Sequence, residues 1–343
     1  MKAGKISSII CIMIILFICI MNMHALGETA FTPKENIKIE SSIINDQYNE
    51  LNVYAVTYKD FQRVYTSETF NSCEVVSAKS ESSDDIEAEN SHIYKYADGY
   101  ELCIADSMSL FYYNTDGDYY SQILTYLNSS KSDTNTSELN DFSLNKATEA
   151  ANDFISRLEI KNLVLDKVLT FSKESLVTIT NDMKKTYGEN GAKYFSSITD
   201  ETEAYYLAYR QALDGIKTAG TPQIQMVLTR NGIAYLEMSR IIDEVINKTA
   251  VNEQISWQDA VCLFEERNIN LHSLPESISV LYEIDEISIA YYHAFDPEQK
   301  LYASLFPCWY IKGSETMSNG EKARTKQIAD IYRIPDGVWY YPN

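Results

Sequence analysis

Short runs of alternating apolar and polar positions predict β-strands along much of the chain. Two of these runs are broken by Ala97-Asp98-Gly99 and by Asn231-Gly232, which predict the tips of two hairpins. Residues 114–118 (NTDGD) lie between two tyrosine-containing runs, and we expect another hairpin turn there. The segments predicted as strands or strand pairs are 51–61, 92–106, 110–127, 162–171, 204–218, 224–241, 278–295 and 301–313.

Two segments show the 3.6-residue period of amphipathic helices, residues 143–160 and 256–269. Ser143 is a candidate N-cap of the first, and both segments begin with the pattern Ser-x-x-x-Ala. Strands follow each helix, which suggests a repeated unit of one helix and several strands. The predicted fold class is therefore α+β, with antiparallel, tyrosine-rich sheets, helices packed on one face, and two lobes.

Composition along the chain suggests a division into domains. Residues 128–142 are small, polar and poor in apolar side chains, which is typical of a linker. We therefore expect a β-rich N-terminal domain over 51–127 and an α+β C-terminal domain over 143–343. Residues 28–50 are polar and are predicted to form a tether.

The N-terminus indicates the cellular compartment. Lys2 and Lys5 precede an uninterrupted apolar run over residues 9–21, and Ala25-Leu26-Gly27 offers a small-residue cleavage site. Residues 1–27 are therefore predicted to be a signal peptide, or an uncleaved membrane anchor, because about 20 apolar residues span a bilayer. Either alternative places residues 28–343 outside the membrane, in a protein that is secreted or anchored at its N-terminus.

The chain carries a formal net charge of −20. A field of this sign repels phosphate backbones and anionic lipid, so we expect no nucleic-acid partner. Contact with the membrane is expected only through the N-terminal segment, if that segment stays uncleaved.

Four cysteines follow the N-terminal segment, and their even number in an exported chain permits disulfides. The pairings suggested by their positions are Cys73 with Cys103 and Cys262 with Cys308. The alternative is that all four are thiols.

Cys308 and His293 raise the question of a catalytic thiol, because a cysteine nucleophile needs a nearby histidine base. In the simplest hairpin register Phe295 faces Leu301 and His293 faces Ala303. Cys308 then lies five positions along the strand, about 16 Å away at about 3.3 Å per residue, on the opposite face. We therefore predict a strand thiol, and we expect Cys308 to meet Cys262 of the preceding helix.

Other candidate sites give no catalytic, cofactor or metal prediction. His92, His272 and His293 show no metal-ligand spacing, and no C-x-x-C occurs. Residues 114–118 match a fragment of a calcium loop but lack its terminal glutamate. Several tyrosine stripes could stack on wall sugars or simply pack in sheets. These stripes are 111–113, 118–120, 204–206, 290–292 and 339–341.

Four segments resemble parts of known exported proteins: AYYLAYRQALDGI (204–216), RNGIAYLEMSRI (230–241), SWQDAVCLFEERN (256–268) and LFPCWYIKG (305–313). Over about residues 143–340 the chain resembles uncharacterised exported proteins of clostridia-like Gram-positive bacteria. It is more distantly similar to YycH/YycI-type and PepSY-like extracytoplasmic regulators. The resemblance implies a surface-located protein that is not an enzyme and that binds a sensor kinase or another envelope protein.

The predicted function is therefore a non-catalytic extracytoplasmic interaction or regulatory protein of the cell envelope, with an envelope or membrane protein as its partner. No cofactor is predicted. Two alternatives remain, a module that binds cell-wall polysaccharide and a hydrolase with an unrecognised site.

Overall fold

The computed structural model describes residues 36–39, 44–45, 50–81, 91–105, 108–114, 116–129, 137–188, 191, 195, 197–271, 278–295, 300–320 and 323–340. The predicted signal or anchor, residues 1–27, lies outside these residues, as does most of the predicted tether. Within the described part of the chain, no helix is both long and apolar enough to cross a bilayer.

The described residues form a mixed α+β fold with two sheets and six α-helices. The helices are α1 (Phe61–Val64), α2 (Ser67–Phe70), α3 (Gly117–Ser129), α4 (Leu144–Arg157), α5 (Lys173–Tyr187) and α6 (Trp257–Leu271). The strands are β1 (Ile37–Ile39), β2 (Ile44–Asn45), β3 (Asn52–Tyr58), β4 (Val75–Glu81), β5 (Ser91–Tyr96), β6 (Glu101–Ile104), β7 (Ser109–Tyr113), β8 (Leu163–Phe171), β9 (Ala204–Leu213), β10 (Ile216–Lys217), β11 (Ile224–Thr229), β12 (Gly232–Ser239), β13 (Ile242–Ala250), β14 (Ser279–Phe295), β15 (Tyr302–Ser318), β16 (Ala323–Arg333) and β17 (Trp339–Tyr340).

The nine-stranded sheet is antiparallel, in the order β10-β9-β11-β12-β7-β6-β5-β4, and β8 also pairs with β9. Strand β9 is buried almost throughout because both faces of the sheet are covered. Tyr205 and Leu207 pack under α1, α2 and α4. Tyr206 and Ala208 face α3 and α5 on the other side. The expectation of helices on one face only is thus wrong for this sheet.

The eight-stranded sheet is built around the long hairpin of β14 and β15. The outer edge of β15 pairs with β3 over residues 302–305 and with β16 over residues 308–318. Pro307, which has no N–H to donate, lies in the gap between these two partners. Strand β13 pairs with β3, and the short strands β1 and β2 run parallel to β14.

Helix α6 covers one face of the eight-stranded sheet. Ala260, Val261 and Phe264 are buried against apolar side chains of the sheet. The indole of Trp309 donates a hydrogen bond to the carbonyl of Ile255, just before the helix, at 2.9 Å. The helix is therefore fixed over the hairpin both by its apolar face and by the segment that precedes its N-terminus.

The predicted boundary at residues 128–142 is wrong as a division between domains. Strand β7, from the predicted N-terminal domain, pairs with β12 in the middle of the nine-stranded sheet. Strand β3, from the same predicted domain, lies between β13 and β15. Each sheet therefore combines segments from both sides of the boundary, and pairing across it is what completes the sheets.

The turn predicted at 114–118 is a helix start and not a hairpin tip. The side chain of Asn114 accepts a hydrogen bond from the Asp116 N–H at 3.0 Å, and α3 begins at Gly117. Four buried residues line the inner face of α3 at helical spacing, Tyr120, Ile123, Leu124 and Leu127. This spacing is visible in the sequence, but the tyrosine-rich start of the segment favoured a strand.

Other local predictions are confirmed. Gly99 has φ 86° at the tip of the β5–β6 hairpin, and β11 and β12 pair across a tight turn at Arg230-Asn231, with Gly232 opposite Thr229. Ser143 caps α4, accepting a hydrogen bond from the Lys146 N–H at 3.3 Å. The predicted second helix is α6, and Ser256 accepts from the Asp259 N–H at 3.1 Å before its first turn.

Candidate functional site

A small polar cavity, which we call the junction cavity, lies where the two sheets meet. The segment after β10 runs beside β14, with Thr218 bridged to Tyr291 and the Ala219 N–H donating to the Tyr291 carbonyl at 2.8 Å. The cavity has a volume of about 30 Å³, whereas about 10–15 Å³ on the same measure is enough for one water molecule. The described residues that line it are Ala219, Gly220, Thr221, Gln223, Ser239, Arg240, Tyr292 and His293.

The side chain of Gln223 organises the inner wall of this cavity. Its Oε1 accepts from the backbone N–H of Gln211 at 3.1 Å, which fixes the orientation of the amide. Its Nε2 therefore faces the Thr218 hydroxyl at 2.5 Å and Nε2 of His293 at 3.3 Å. Because an amide nitrogen only donates, Nε2 of His293 is an acceptor.

His293 is held as a neutral imidazole. Its acceptor Nε2 places the ring hydrogen on Nδ1, which lies 2.6 Å from the hydroxyl oxygen of Tyr58. The two rings also stack, with centroids 5.7 Å apart. Burial, and then the charges of Arg240 and Arg210, lower the pKa of His293 to about 3. Burial also raises the pKa of Tyr58, so both members of the pair are neutral near pH 7.

Arg210 fixes the backbone next to the cavity. Its guanidinium donates to the carbonyls of Thr218 at 3.0 Å and Gly220 at 2.6 Å, and to the Asp166 carboxylate at 2.7 Å. Burial disfavours the ionised form of Asp166, but hydrogen bonds from Lys217 and Arg210 outweigh that effect and lower its pKa. The charge of Arg210 is thus neutralised locally, and its role is to hold the loop.

Arg240 differs from Arg210 in having no such partner. It follows β12 with φ 50°, and its backbone N–H donates to the Met108 carbonyl at 2.9 Å. The side chain is exposed, and no hydrogen bond or ion pair joins it to another described residue. No aspartate or glutamate is among the described residues that line the cavity.

The structure separates Cys308 from His293. The observed register sets His293 opposite Leu305 and Cys308 opposite Ala290, two positions from the register expected for the hairpin. The two residues are then about 10 Å apart along the strand and point to opposite faces. The Cys308 thiol is buried, donates to the Phe306 carbonyl at 3.3 Å, and has a pKa raised by burial.

Neither predicted disulfide forms between the four described cysteines. Cys308 lies in a small buried cluster on the face of the sheet opposite α6, whereas Cys262 is exposed on that helix. The sheet itself therefore separates the two sulfur atoms, and the predicted Cys262–Cys308 contact is wrong. Cys73 is exposed in the segment before β4, and Cys103 lies in β6 opposite Ile93 and Phe111.

The other sequence candidates lie apart from the cavity or only at its rim. His92 is in β5 opposite Ile104, and His272 lies outside the described residues. No group of three or more His, Cys, Asp or Glu side chains in the described ranges could hold a metal ion. Tyr292 and Tyr340, from two of the tyrosine stripes, stack with centroids 4.5 Å apart, and Tyr292 also lines the cavity.

Sequence reasoning missed Gln211, Gln223 and Arg240. Gln211 and Gln223 are each 2% exposed. Each is a polar residue inside or beside an otherwise apolar strand, and this pattern is the sequence signal that could have identified them, because buried polar side chains need hydrogen-bond partners. Arg240 follows a strongly apolar strand, but only the meeting of the two sheets brings it beside His293.

Comparisons with known proteins extend to the fold alone. No family model matches the chain, and no curated protein matches it. A crystal structure of an uncharacterised protein from Eubacterium rectale ATCC 33656 is similar, with a TM-score of 0.58 over 90% of this chain and 92% of that one. The two sequences are 12% identical over this alignment. The chain is thus similar in fold to that protein across nearly the whole length of both.

Proposed function

We propose that this protein is a non-catalytic extracytoplasmic interaction or regulatory protein, and that its partner is an envelope or membrane protein. The extracytoplasmic location rests on Lys2, Lys5 and the apolar run that follows them. The interaction role rests on one structural observation, the exposed edge strand β13.

Strand β13 is exposed over eight consecutive residues, 243–250. It pairs with β3 on one side and with no other strand of the described part of the chain. Val245 and Ile246 are adjacent there and are 46% and 56% exposed. An open strand edge that carries exposed apolar side chains is a surface on which proteins bind extended segments of partners.

The irregularity of β13 makes this edge selective. Its register with β3 shifts twice, so that Asp243 and Ile246 have no directly opposed residue on β3. Such bulges and the charged side chain of Lys248 disfavour indiscriminate strand addition. A partner therefore needs a matching shape around Ile246, as a specific regulatory contact requires.

The junction cavity supports the non-catalytic part of the proposal. Both ring nitrogens of His293 are engaged by neutral partners, and the nearby thiol Cys308 is protonated and faces away. A general base needs an accessible nitrogen with a pKa near the working pH. His293 has neither property.

We also infer that the two sheets form two lobes with tyrosine-rich strands. Separate apolar clusters support this, two on the faces of the nine-stranded sheet and one under α6. Tyrosines occupy buried positions in both sheets, including Tyr205 and Tyr206 in β9 and Tyr282 and Tyr291 in β14.

The proposal can be tested by site-specific photo-crosslinking in the producing cell. A photoreactive amino acid at position 246 should give one or a few crosslinked species that contain an envelope protein. The same amino acid at position 177, which is an exposed valine on α5, provides the matched control. Equal crosslinking at both positions, or none at 246, would contradict the proposal, and capture of wall polysaccharide alone would favour the polysaccharide-binding alternative.

A further inference from the structure

We propose that the junction cavity binds a single carboxylate group through Arg240. This inference is independent of the edge strand β13, and it assigns a ligand chemistry to a part of the molecule that the proposed function does not use. The carboxylate could belong to a small acid or to the C-terminus of a peptide.

Local charge is the first reason. The whole chain is strongly acidic, with 49 Asp and Glu residues against 29 Lys and Arg residues. Among the eight described residues that line the cavity there is nevertheless an arginine and no carboxylate. Arg210 behind it is neutralised by Asp166, whereas Arg240 has no anionic partner among the described residues. The cavity is thus a positive site on a negative molecule, which attracts an anion.

The hydrogen-bonding groups point to the same ligand. A guanidinium offers paired donors that match the two oxygens of a carboxylate. The hydroxyl-bearing residues Ser239 and Thr221 also line the cavity. His293 is kept uncharged by its neighbours, so it adds no second formal charge, and one monovalent anion balances Arg240.

Cavity size restricts the ligand further. A volume of about 30 Å³, against about 10–15 Å³ for one water molecule, suits a small group of a few atoms rather than a sugar ring or a nucleotide. A planar carboxylate can place one oxygen inside while the rest of the molecule stays in solvent beside the exposed Arg240.

The walls of the cavity are preorganised, which lowers the entropic cost of binding. Gln223 is 2% exposed and is fixed by Gln211 and Thr218, and it in turn fixes His293. Arg210 holds the carbonyls of Thr218 and Gly220 on the other side.

The test follows the ring resonances of His293 by NMR while acetate is added to the purified protein at constant ionic strength. The chain has only four histidines, and the His293→Gln variant assigns the relevant signals. We expect a saturable shift with acetate and none with acetamide, its neutral analogue. A second titration uses N-acetylglycine, which resembles a peptide C-terminus. If N-acetylglycine binds more tightly than acetate, a peptide C-terminus is identified as the source of the carboxylate.

Arg240→Gln should weaken acetate binding at least about tenfold, which corresponds to about 1.4 kcal/mol. The control Arg157→Gln removes the same charge from an exposed position on α4 and should leave binding unchanged. Wild-type affinity in Arg240→Gln, an equal response to acetamide, or no saturable shift would each overturn the proposal. Crosslinking at position 246 does not depend on Arg240, so failure of one proposal is distinguishable from failure of the other.

Discussion

The imidazole of His293 lies between two neutral groups, the Tyr58 hydroxyl and the Gln223 amide. Neither group stabilises a protonated ring as a carboxylate would, and the charges of Arg240 and Arg210 oppose it. At the scale of single residues, the histidine is therefore a neutral hydrogen-bonding link between β3, β14 and the segment that carries Gln223.

This environment predicts an acid-sensitive fold. The pKa of His293 is about 3 in the folded protein, against about 6.5 for an unperturbed histidine, so the unfolded chain binds the extra proton between these values. The His293 contribution to stability is complete above about pH 6.5 and is lost as the pH falls towards 3, at no more than about 1.4 kcal/mol per pH unit.

Urea unfolding of the wild type and of His293→Gln at a series of pH values between 7 and 4 would measure this contribution. We expect the wild type to lose more stability than the variant over this range, because the carboxylates titrate in both proteins and cancel in the difference. Parallel pH profiles for the two proteins would contradict the assignment of a neutral His293.

At the scale of elements, helix α6 is pinned to the sheet by a polar cluster around Asp330. The Asp330 carboxylate accepts from Arg267 of α6 at 2.6 Å and from the Trp339 indole of β17 at 3.0 Å. The Arg267 guanidinium also lies over the Trp339 ring, 3.5 Å from its centroid. One carboxylate on β16 thus holds both a helix and a short strand in place.

Asp330→Ala should therefore destabilise the protein strongly. Its side chain is 9% exposed and that of Arg267 is 26% exposed, so the substitution leaves a largely buried guanidinium without its anion. The expected loss in free energy of unfolding is about 3 kcal/mol, by analogy with other buried pairs that lose one member. Glu266→Ala, at an exposed position on α6, should change the free energy of unfolding by less than about 0.5 kcal/mol.

Thermal or urea unfolding measures both substitutions under the same conditions. Equal effects of Asp330→Ala and Glu266→Ala would show that the cluster does not hold α6. The near-ultraviolet circular dichroism of Asp330→Ala should also change, because Trp339 loses its hydrogen-bond acceptor.

At the scale of the whole molecule, the two sheets are joined by shared segments and by Gln211. The Gln211 side chain donates to the Ile242 carbonyl at 2.9 Å and accepts from the Ile242 N–H at 2.6 Å. This amide pairs with the backbone of β13 as a neighbouring strand would. The side chain of a β9 residue in one sheet thereby fixes the first residue of an edge strand in the other.

A chain cut within residues 128–142 should consequently not yield two folded halves. The N-terminal piece would expose the β7 edge that normally pairs with β12 and would lose both neighbours of β3. We expect poorly dispersed NMR spectra from each piece alone, with dispersion recovered when the two are mixed or co-expressed. A dispersed spectrum from the N-terminal piece alone would restore the boundary that the sequence suggested.

The sequence by itself determined the local elements whose signals are short-range. Asn231-Gly232 and Ala97-Asp98-Gly99 fixed two hairpin tips, and Ser143 fixed a helix start, because turn and cap geometry depends on a few neighbouring residues. The α+β class followed from the two kinds of apolar period. Helix α3 was missed although its apolar spacing is present, because tyrosines suit both strands and half-buried helices.

Only the tertiary structure decided which segments share a sheet and which side chains meet at the cavity. Strand β7 pairs with β12, more than 100 residues away, and His293 meets Tyr58 across 235 residues. Pairing over such distances depends on the burial of whole sheet faces, which no local pattern specifies. The same long-range packing places Cys262 and Cys308 on opposite sides of one sheet and leaves Arg240 beside a neutral histidine.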